Sequence, residues 1–177
     1  MKIYTKVGDQ GQTKQASGKM VSKTDPQIVA LGDLDQLQSW LGLVISWLSP
    51  ACKELKPLLL KLQRKLYQLQ AQISIKNYST ITATDTAELE KKIDQWMAAV
   101  PAIHEFILPG GKPTGAGLQY ARTLARQAER AVVKLAEIQQ LEPAVLTYLN
   151  RLSDYLFAMA RYANYLDGEP EITSKTK

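Results

Sequence analysis

The stretch Leu55-Lys56-Pro57-Leu58-Leu59-Leu60-Lys61-Leu62-Gln63-Arg64-Lys65-Leu66-Tyr67-Gln68-Leu69-Gln70-Ala71-Gln72-Ile73 decides the fold. Leu55, Leu59, Leu62, Leu66, Leu69 and Ile73 recur at alternating steps of four and three, the spacing of one helix face. Such a seam needs partner helices to keep it out of water. Lys53, Lys56, Lys61, Arg64 and Lys65 fall mostly off the seam and are predicted to form a solvated face. Upstream, Thr24-Asp25-Pro26 offers an N-cap with proline in the first turn. The helix it opens would bury Leu34, Leu37, Leu41, Val44, Ile45 and Leu48 and end at Ser49-Pro50. Downstream, a shorter helix runs from the cap candidates Thr84 and Asp85 through Leu89, Ile93 and Trp96 toward Pro101. A fourth carries the stripe Leu118, Ala121, Ala125, Ala128, Val132 and Leu135. The fifth follows Pro143 and would bury Val145, Leu149, Leu152, Leu156, Met159, Ala163 and Leu166, with Gly168 stopping it. The expected class is all-α.

The whole chain supports that reading. Its 177 residues suit a single domain, residues 1–177, and with 45% hydrophobic residues but only two Phe, Leu and Ala must do most of the packing. The net charge of +5 is spread along the chain, with no basic block or aromatic-basic interleaving, which argues against a nucleic-acid partner. A single cysteine, Cys52, cannot form an intramolecular disulfide and fits a reducing compartment, the cytoplasm. Met1 to Lys6 has no apolar run of the signal-peptide kind, and nowhere do eighteen apolar residues follow one another, so no membrane span is expected.

Residues 1–24 read differently from the rest. Met1 to Lys6 alternates weakly, as a short strand would, but no second strand is evident to pair with it. Gly8-Asp9-Gln10-Gly11 and Ser17-Gly18-Lys19 are loop sequence. Two readings stand: a polar terminus, or an arm whose backbone N–H groups and lysines wrap a phosphate. Gly11 to Lys19 does not match a P-loop, because the spacing is too long and Met20 stands where Ser or Thr should be.

The fourth helix bears the most informative polar pattern. Phe106-Ile107-Leu108-Pro109-Gly110-Gly111 breaks the chain before it, and Arg122, Arg126, Glu129 and Arg130 then fall at helical spacing beside the buried stripe. Guanidinium groups at the edge of a core call for carboxylates, phosphates or another subunit. Other devices lack their parts. His104, the only histidine, has no Glu-x-x-His context, which excludes a di-iron carboxylate site; Cys52 stands alone, which excludes zinc; no metal site is expected. The nucleophile must therefore come with the substrate.

Ordered blocks along nearly the whole chain resemble the PduO-type ATP:corrinoid adenosyltransferases: Ile3 to Thr13, Val21-Ser22-Lys23 with Asp25-Pro26, Gly32 to Leu37, Phe106 to Gly111, Ala121-Arg122 with Arg126 to Arg130, Leu149 to Tyr155 and Arg161 to Tyr165. The resemblance implies a five-helix bundle with ferritin-like up-and-down packing over residues 25–168, an N-terminal nucleotide-binding arm over 1–24 and a tail over 169–177. It further implies a homotrimer that binds ATP and cobalamin between neighbouring subunits and moves the 5′-deoxyadenosyl group of ATP to the cobalt of cob(I)alamin. An electron donor or a cobalamin-dependent enzyme would be its other partners.

On this resemblance Thr5, Lys6, Val7, Gly8, Thr13, Lys14 and Lys23 fold over the phosphates. Arg126, Gln127, Glu129, Arg130 and Asn150 occupy the nucleotide positions of the helices. Asp35 and Arg122 match a pair that bridges subunits beside the corrin, and Phe106 matches the aromatic that displaces the lower ligand of cobalamin. Removing that ligand raises the cobalt(II) potential. Cobalt(I) is itself a strong nucleophile, which accounts for the missing Ser, Cys and His, and the leaving triphosphate would be neutralised by Lys6, Lys23, Arg126, Arg130 and magnesium. Without the resemblance, Phe106 reads as packing in a buried loop, Asp35 with Arg122 as a structural ion pair, and Asn150 with Asp154 as partners of backbone or Arg151. Three positions depart from the family: Gln10 replaces Lys, Gln36 replaces Glu and Gln127 replaces Arg. A carrier or sensor that binds nucleotide or corrinoid without catalysis, and a purely structural trimer, are the rival functions.

Overall fold

Five helices pack side by side in a computed structural model that describes residues 3–175. They are α1 (Pro26–Ser46), α2 (Lys56–Ser74, entered through a 3-10 turn at Lys53–Leu55), α3 (Ala83–Ala99), α4 (Pro113–Ala136) and α5 (Pro143–Leu166). α4 packs on α1 and α5, α1 on α2, and α3 on α5. Paired side chains fix the directions. Gln38 and Gln63 each donate to the other's carbonyl, setting α1 against α2. Lys61 and Lys65 pair with Glu88 and Asp85 across α2 and α3. Trp40 donates to the Gly117 carbonyl and Gln127 to Asp33 between α1 and α4, while Asn150 donates to Glu129 between α4 and α5. Each successive helix therefore reverses direction, the expected up-and-down order, and α3 runs parallel to α5, as Arg151–Glu90 and the Arg161–Met97 contact require.

The helix boundaries follow local chemistry. Asp25 caps α1 by accepting from the Gln27 N–H at 2.9 Å, with Pro26 at the first helical position. The cap of α3 lies two residues earlier than the sequence suggests. Thr82 and Asp85 form a capping box, so Asp85 belongs to the first turn and Thr84 caps nothing. α5 ends in a Schellman motif, with Gly168 N–H to the Tyr165 carbonyl, Glu169 N–H to the Asn164 carbonyl and Gly168 at φ +65.

All six seam residues are buried, Leu55 in the entering turn and the other five in α2, as are Leu118, Ala121, Ala125, Ala128, Val132 and Leu135 of α4. In α1 Leu34, Leu37, Leu41 and Val44 are buried, but Ile45 is only half-buried, and Leu48 lies half-buried beyond the helix end at Ser46. Ile93 and Leu166 are likewise only half-buried. Lys65 is not part of a solvated face, because it is half-buried against Asp85. By length and composition α1 alone, among the described residues, passes as a membrane span. It carries the carboxylates Asp33 and Asp35 in mid-helix and turns Ala30, Leu34, Leu37, Leu41 and Val44 into the bundle.

The N-terminal expectation needs correction. Residues 3–6 form no strand, and Met1 and Lys2 lie outside the described residues. A two-stranded antiparallel hairpin forms further on, β1 (Gln12–Lys14) with β2 (Met20–Ser22), in the register Gln12 to Ser22 and Lys14 to Met20. Each strand has three residues and no long alternation, too short for periodicity to reveal. Of the tail expected over 169–177, residues 176 and 177 lie outside the described residues. The remainder is tied back, with an isolated bridge joining Ile107 to Thr173.

Candidate functional site

The hairpin and the turn before it make a basic, glycine-bearing loop. Asp9 N–H donates to the Lys6 carbonyl, Gly11 N–H to that of Gly8, and Lys23 N–H to that of Gly11. Lys6 sits at φ +63, a left-handed conformation that a lysine rarely adopts and that functional loops retain. A Cβ on Gly8 would come 3.2 Å from the Lys23 ammonium nitrogen, so Gly8 lets that lysine lie over the turn. Thr5, Lys6, Val7, Lys14 and Lys23 are exposed, while Gly8 and Thr13 are half-buried. Ile3 and Tyr4 are also largely uncovered.

The Phe106 loop lies at the other end of the bundle, between the close of α3 and the start of α4. The α1 helix separating the two ends is 21 residues long, roughly 30 Å at 1.5 Å per residue. Within one chain the arm and Phe106 are thus far apart. Phe106 is not packed in a buried loop: it is 87% exposed. Its backbone is nonetheless pinned. Ser174 N–H donates to the Phe106 carbonyl and Leu108 N–H to that of Ile172, both at 2.7 Å. The tail is held in turn by Glu171, which accepts from Arg161 at 2.6 and 2.8 Å, and Arg161 also donates to the Pro101 carbonyl at 2.6 Å. On the other side of the loop, Asn164 donates to the Gly110 carbonyl at 3.0 Å. Gly111 (φ +113) and Gly115 leave room for that side chain, which a Cβ at either position would overlap.

Between this loop and α4 lies an open groove of about 680 Å³ whose walls include Phe106, Phe157, Gln119 and Arg122. Both phenylalanines of the chain line it. Arg122 is half-buried and donates through Nε to the buried Gln119 at 3.0 Å. Burial, and then the nearby Arg126 cation, push its guanidinium below the ordinary arginine range. No carboxylate pairs with it among the described residues. Asp35 is exposed and makes no ion pair with Arg122, so a structural pair within one chain is excluded.

From Arg122 the cationic stripe continues along α4 through exposed Arg126 and Arg130, which have no acidic partner among the described residues. Like charges one helical turn apart repel. Glu129 accepts from Asn150 at 2.9 Å, and Asp154 pairs with Arg151, so Asn150 is not a partner of Arg151. Gln127 donates to Asp33 at 2.8 Å. Cys52 offers no competing nucleophile: it is buried, and burial pushes its thiol up.

The structure thus gathers Phe106 and Arg122 at one groove and Arg126, Gln127, Glu129, Arg130 and Asn150 along the adjoining helices. It leaves Asp35 unpaired and the arm apart. Sequence reasoning gave no role to Gln119, Phe157, Asp33, Asn164 or the Arg161–Glu171 pair. Gln119 was accessible in principle, three residues before Arg122 on the same face, whereas Glu171 carries no local signal.

Comparison with known proteins meets the same architecture. The cobalamin adenosyltransferase family model matches residues 3–163. The chain belongs to the cobalamin adenosyltransferase family. It is 40% identical to a cobalamin adenosyltransferase of Cupriavidus metallidurans over 172 residues, covering 97% of this chain and 92% of that one. It is also 40% identical to a corrinoid adenosyltransferase of Bacillus subtilis, over 95% of this chain and 89% of the relative. A variant PduO-type ATP:corrinoid adenosyltransferase from Lactobacillus reuteri, solved in complex with cobalamin and ATP, superposes with a TM-score of 0.96 at 38% identity, over 99% of this chain and all of that one. The helical bundle is therefore shared with that solved structure.

Proposed function

We propose that this member of the family transfers the 5′-deoxyadenosyl group of ATP to cob(I)alamin. The observation that carries the reading is the stripe Arg122, Arg126 and Arg130: three guanidiniums on successive turns of α4, none with an acidic partner among the described residues, running away from an exposed Phe106. Mutual repulsion at that spacing is destabilising unless an anion joins it. ATP supplies the anion, and a corrin supplies the flat, largely apolar surface that suits a groove walled by both phenylalanines.

In the reaction cobalt(I) attacks C5′ of ATP, the cobalt–carbon bond forms, the C5′–O bond breaks and triphosphate leaves. Arg126 and Arg130 neutralise the charge that gathers on the leaving group, with Lys6 and Lys23 closing over it from the arm. Asn150 orients Glu129, the carboxylate on the stripe suited to the nucleotide's hydroxyls or to waters of a magnesium ion that arrives with the phosphates. Thr5, Val7, Gly8, Thr13 and Lys14 complete the phosphate loop through backbone N–H and short polar groups. Phe106 keeps the lower face of the corrin free of its axial ligand.

The site is completed by a second copy. Arg122 lacks a carboxylate, Asp35 lacks a cation, and the arm lies a bundle length from Phe106, so each half answers the other across a homotrimer interface. The chain then acts as one domain, arm and bundle together, in the reducing cytoplasm where Cys52 stays a thiol. Chemically reduced cobalamin mixed with ATP and magnesium should show cobalt–carbon bond formation by absorbance, and sedimentation should report a trimer. A monomer at micromolar concentration would remove the shared site. ATP binding without bond formation would favour a carrier.

A further inference from the structure

A second cavity shares no residue with the site above. It lies where α2 and α3 diverge over α5, and its volume is about 280 Å³, roughly twice that of an apolar cavity of about 150 Å³ able to take up benzene. Leu58, Leu62 and Leu89 line it together with Tyr148 and Tyr155. The two tyrosines are 2% and 4% exposed, yet neither hydroxyl makes a hydrogen bond among the described residues. Neither hydroxyl oxygen is among the fully buried unpartnered atoms of the described residues, so each opens toward the cavity. Burial first pushes both phenols up, with Tyr155, Asp85 and Glu88 adding to it at Tyr148 and Glu88 at Tyr155, so each hydroxyl remains a proton donor.

The rim has a definite charge. Lys61 and Lys65 are neutralised by Glu88 and Asp85, the ion pairs that bridge α2 to α3. Lys91 and Lys92 also line the cavity and have no acidic partner among the described residues. The cavity thus offers apolar walls, two unused phenolic donors and a surplus of positive charge. A neutral hydrocarbon would leave the donors and the cations unanswered.

We infer that this cavity is a binding site for a small, flat organic acid of about the size of a naphthalene carboxylate, its ring against the leucines and its carboxylate toward Lys91, Lys92 and the tyrosine hydroxyls. The inference does not rest on the proposed reaction, because it can be tested with neither ATP nor corrinoid present. Calorimetry with 2-naphthoate should show saturable binding, and the neutral isostere 2-naphthylmethanol should bind at least about tenfold more weakly, the worth of one charge-assisted hydrogen bond. Leu58→Trp, at a half-buried rim position, fills the space and should abolish binding while leaving the helical circular dichroism unchanged. Tyr148→Phe keeps the ring and removes only the donor, so it should weaken naphthoate several-fold and the alcohol less. Absence of saturable binding, equal affinity for acid and alcohol, or unchanged affinity in Leu58→Trp would each overturn the assignment.

Discussion

Glu171→Ala isolates the clamp behind the Phe106 loop. The Arg161 side chain is 0% exposed, and the Glu171 carboxylate accepts one hydrogen bond from its Nε and one from its Nη2. Removing the acid leaves a cation whose remaining partners are the Pro101 carbonyl and the Met97 sulfur. Breaking a buried pair from one side costs about 3–5 kcal/mol. Glu171 retains 20% exposure, so water can enter from its side and the lower end applies. At about 2–4 °C per kcal/mol for a chain of this size, about 3 kcal/mol lowers Tm by roughly 6–12 °C. Thermal and urea unfolding followed by circular dichroism measure it. Arg161→Met added to Glu171→Ala should recover part of the loss, because no charge is then left buried. A drop below about 1 kcal/mol, the range of exposed pairs, would refute the clamp. So would a double variant less stable than the single, which would make Arg161 a packing residue. Amide exchange at Leu108 and Ser174 should quicken in the single variant, since the tail they bond is released.

Phe106→Ala should change stability by no more than about 0.5 kcal/mol, as for other surface positions, and should lose most activity with cob(II)alamin and a mild reductant while keeping much of it with cob(I)alamin already reduced; equal losses in the two assays would make Phe106 a pocket wall only. Arg126→Ala should lower turnover by about a hundredfold, as removal of a donor aimed at developing charge commonly does, and an unchanged rate would return it to a structural role. Gln127→Arg should tighten ATP binding in calorimetry, but only modestly while Asp33 stands within reach to claim the new cation, so Asp33→Asn in the same background should release the full gain; no change in either variant would remove residue 127 from the nucleotide site. Burial pushes the Asp85 carboxyl up, yet the hydrogen bonds from Lys65 and Thr82 outweigh it and hold the group below its ordinary value. Its contribution is therefore complete above about pH 3.9, the unfolded value, and is lost as pH falls toward the folded one. Asp85→Asn should flatten the acid end of the stability profile, and an unchanged profile would contradict this assignment.

Helices were legible in this sequence because burial at helical spacing is a local signal. The step of four and three from Leu55 to Ile73 needs no knowledge of the partner helix, and every residue of that seam is buried. The Arg122 to Arg130 stripe was legible for the same reason, as positions on one helix face. The cap of α3 was misplaced by two residues because Thr82, Thr84 and Asp85 are all acceptable caps and only the reciprocal bonds choose among them. The hairpin was missed because pairing between three-residue strands leaves almost no periodic trace.

The sequence by itself determined the all-α class, the seams that bury the leucines and alanines, and the identity of the polar residues, since side-chain spacing along a helix follows from backbone geometry alone. Only the tertiary structure decided what those polar groups touch. That Glu129 holds Asn150, that Gln127 is taken by Asp33, that Asp35 and Arg122 stay apart within one chain, and that the tail pins the exposed Phe106 all depend on contacts between residues distant in the chain. Such contacts are set by how the five helices turn their faces to one another, and a burial pattern read along one helix does not encode that rotation.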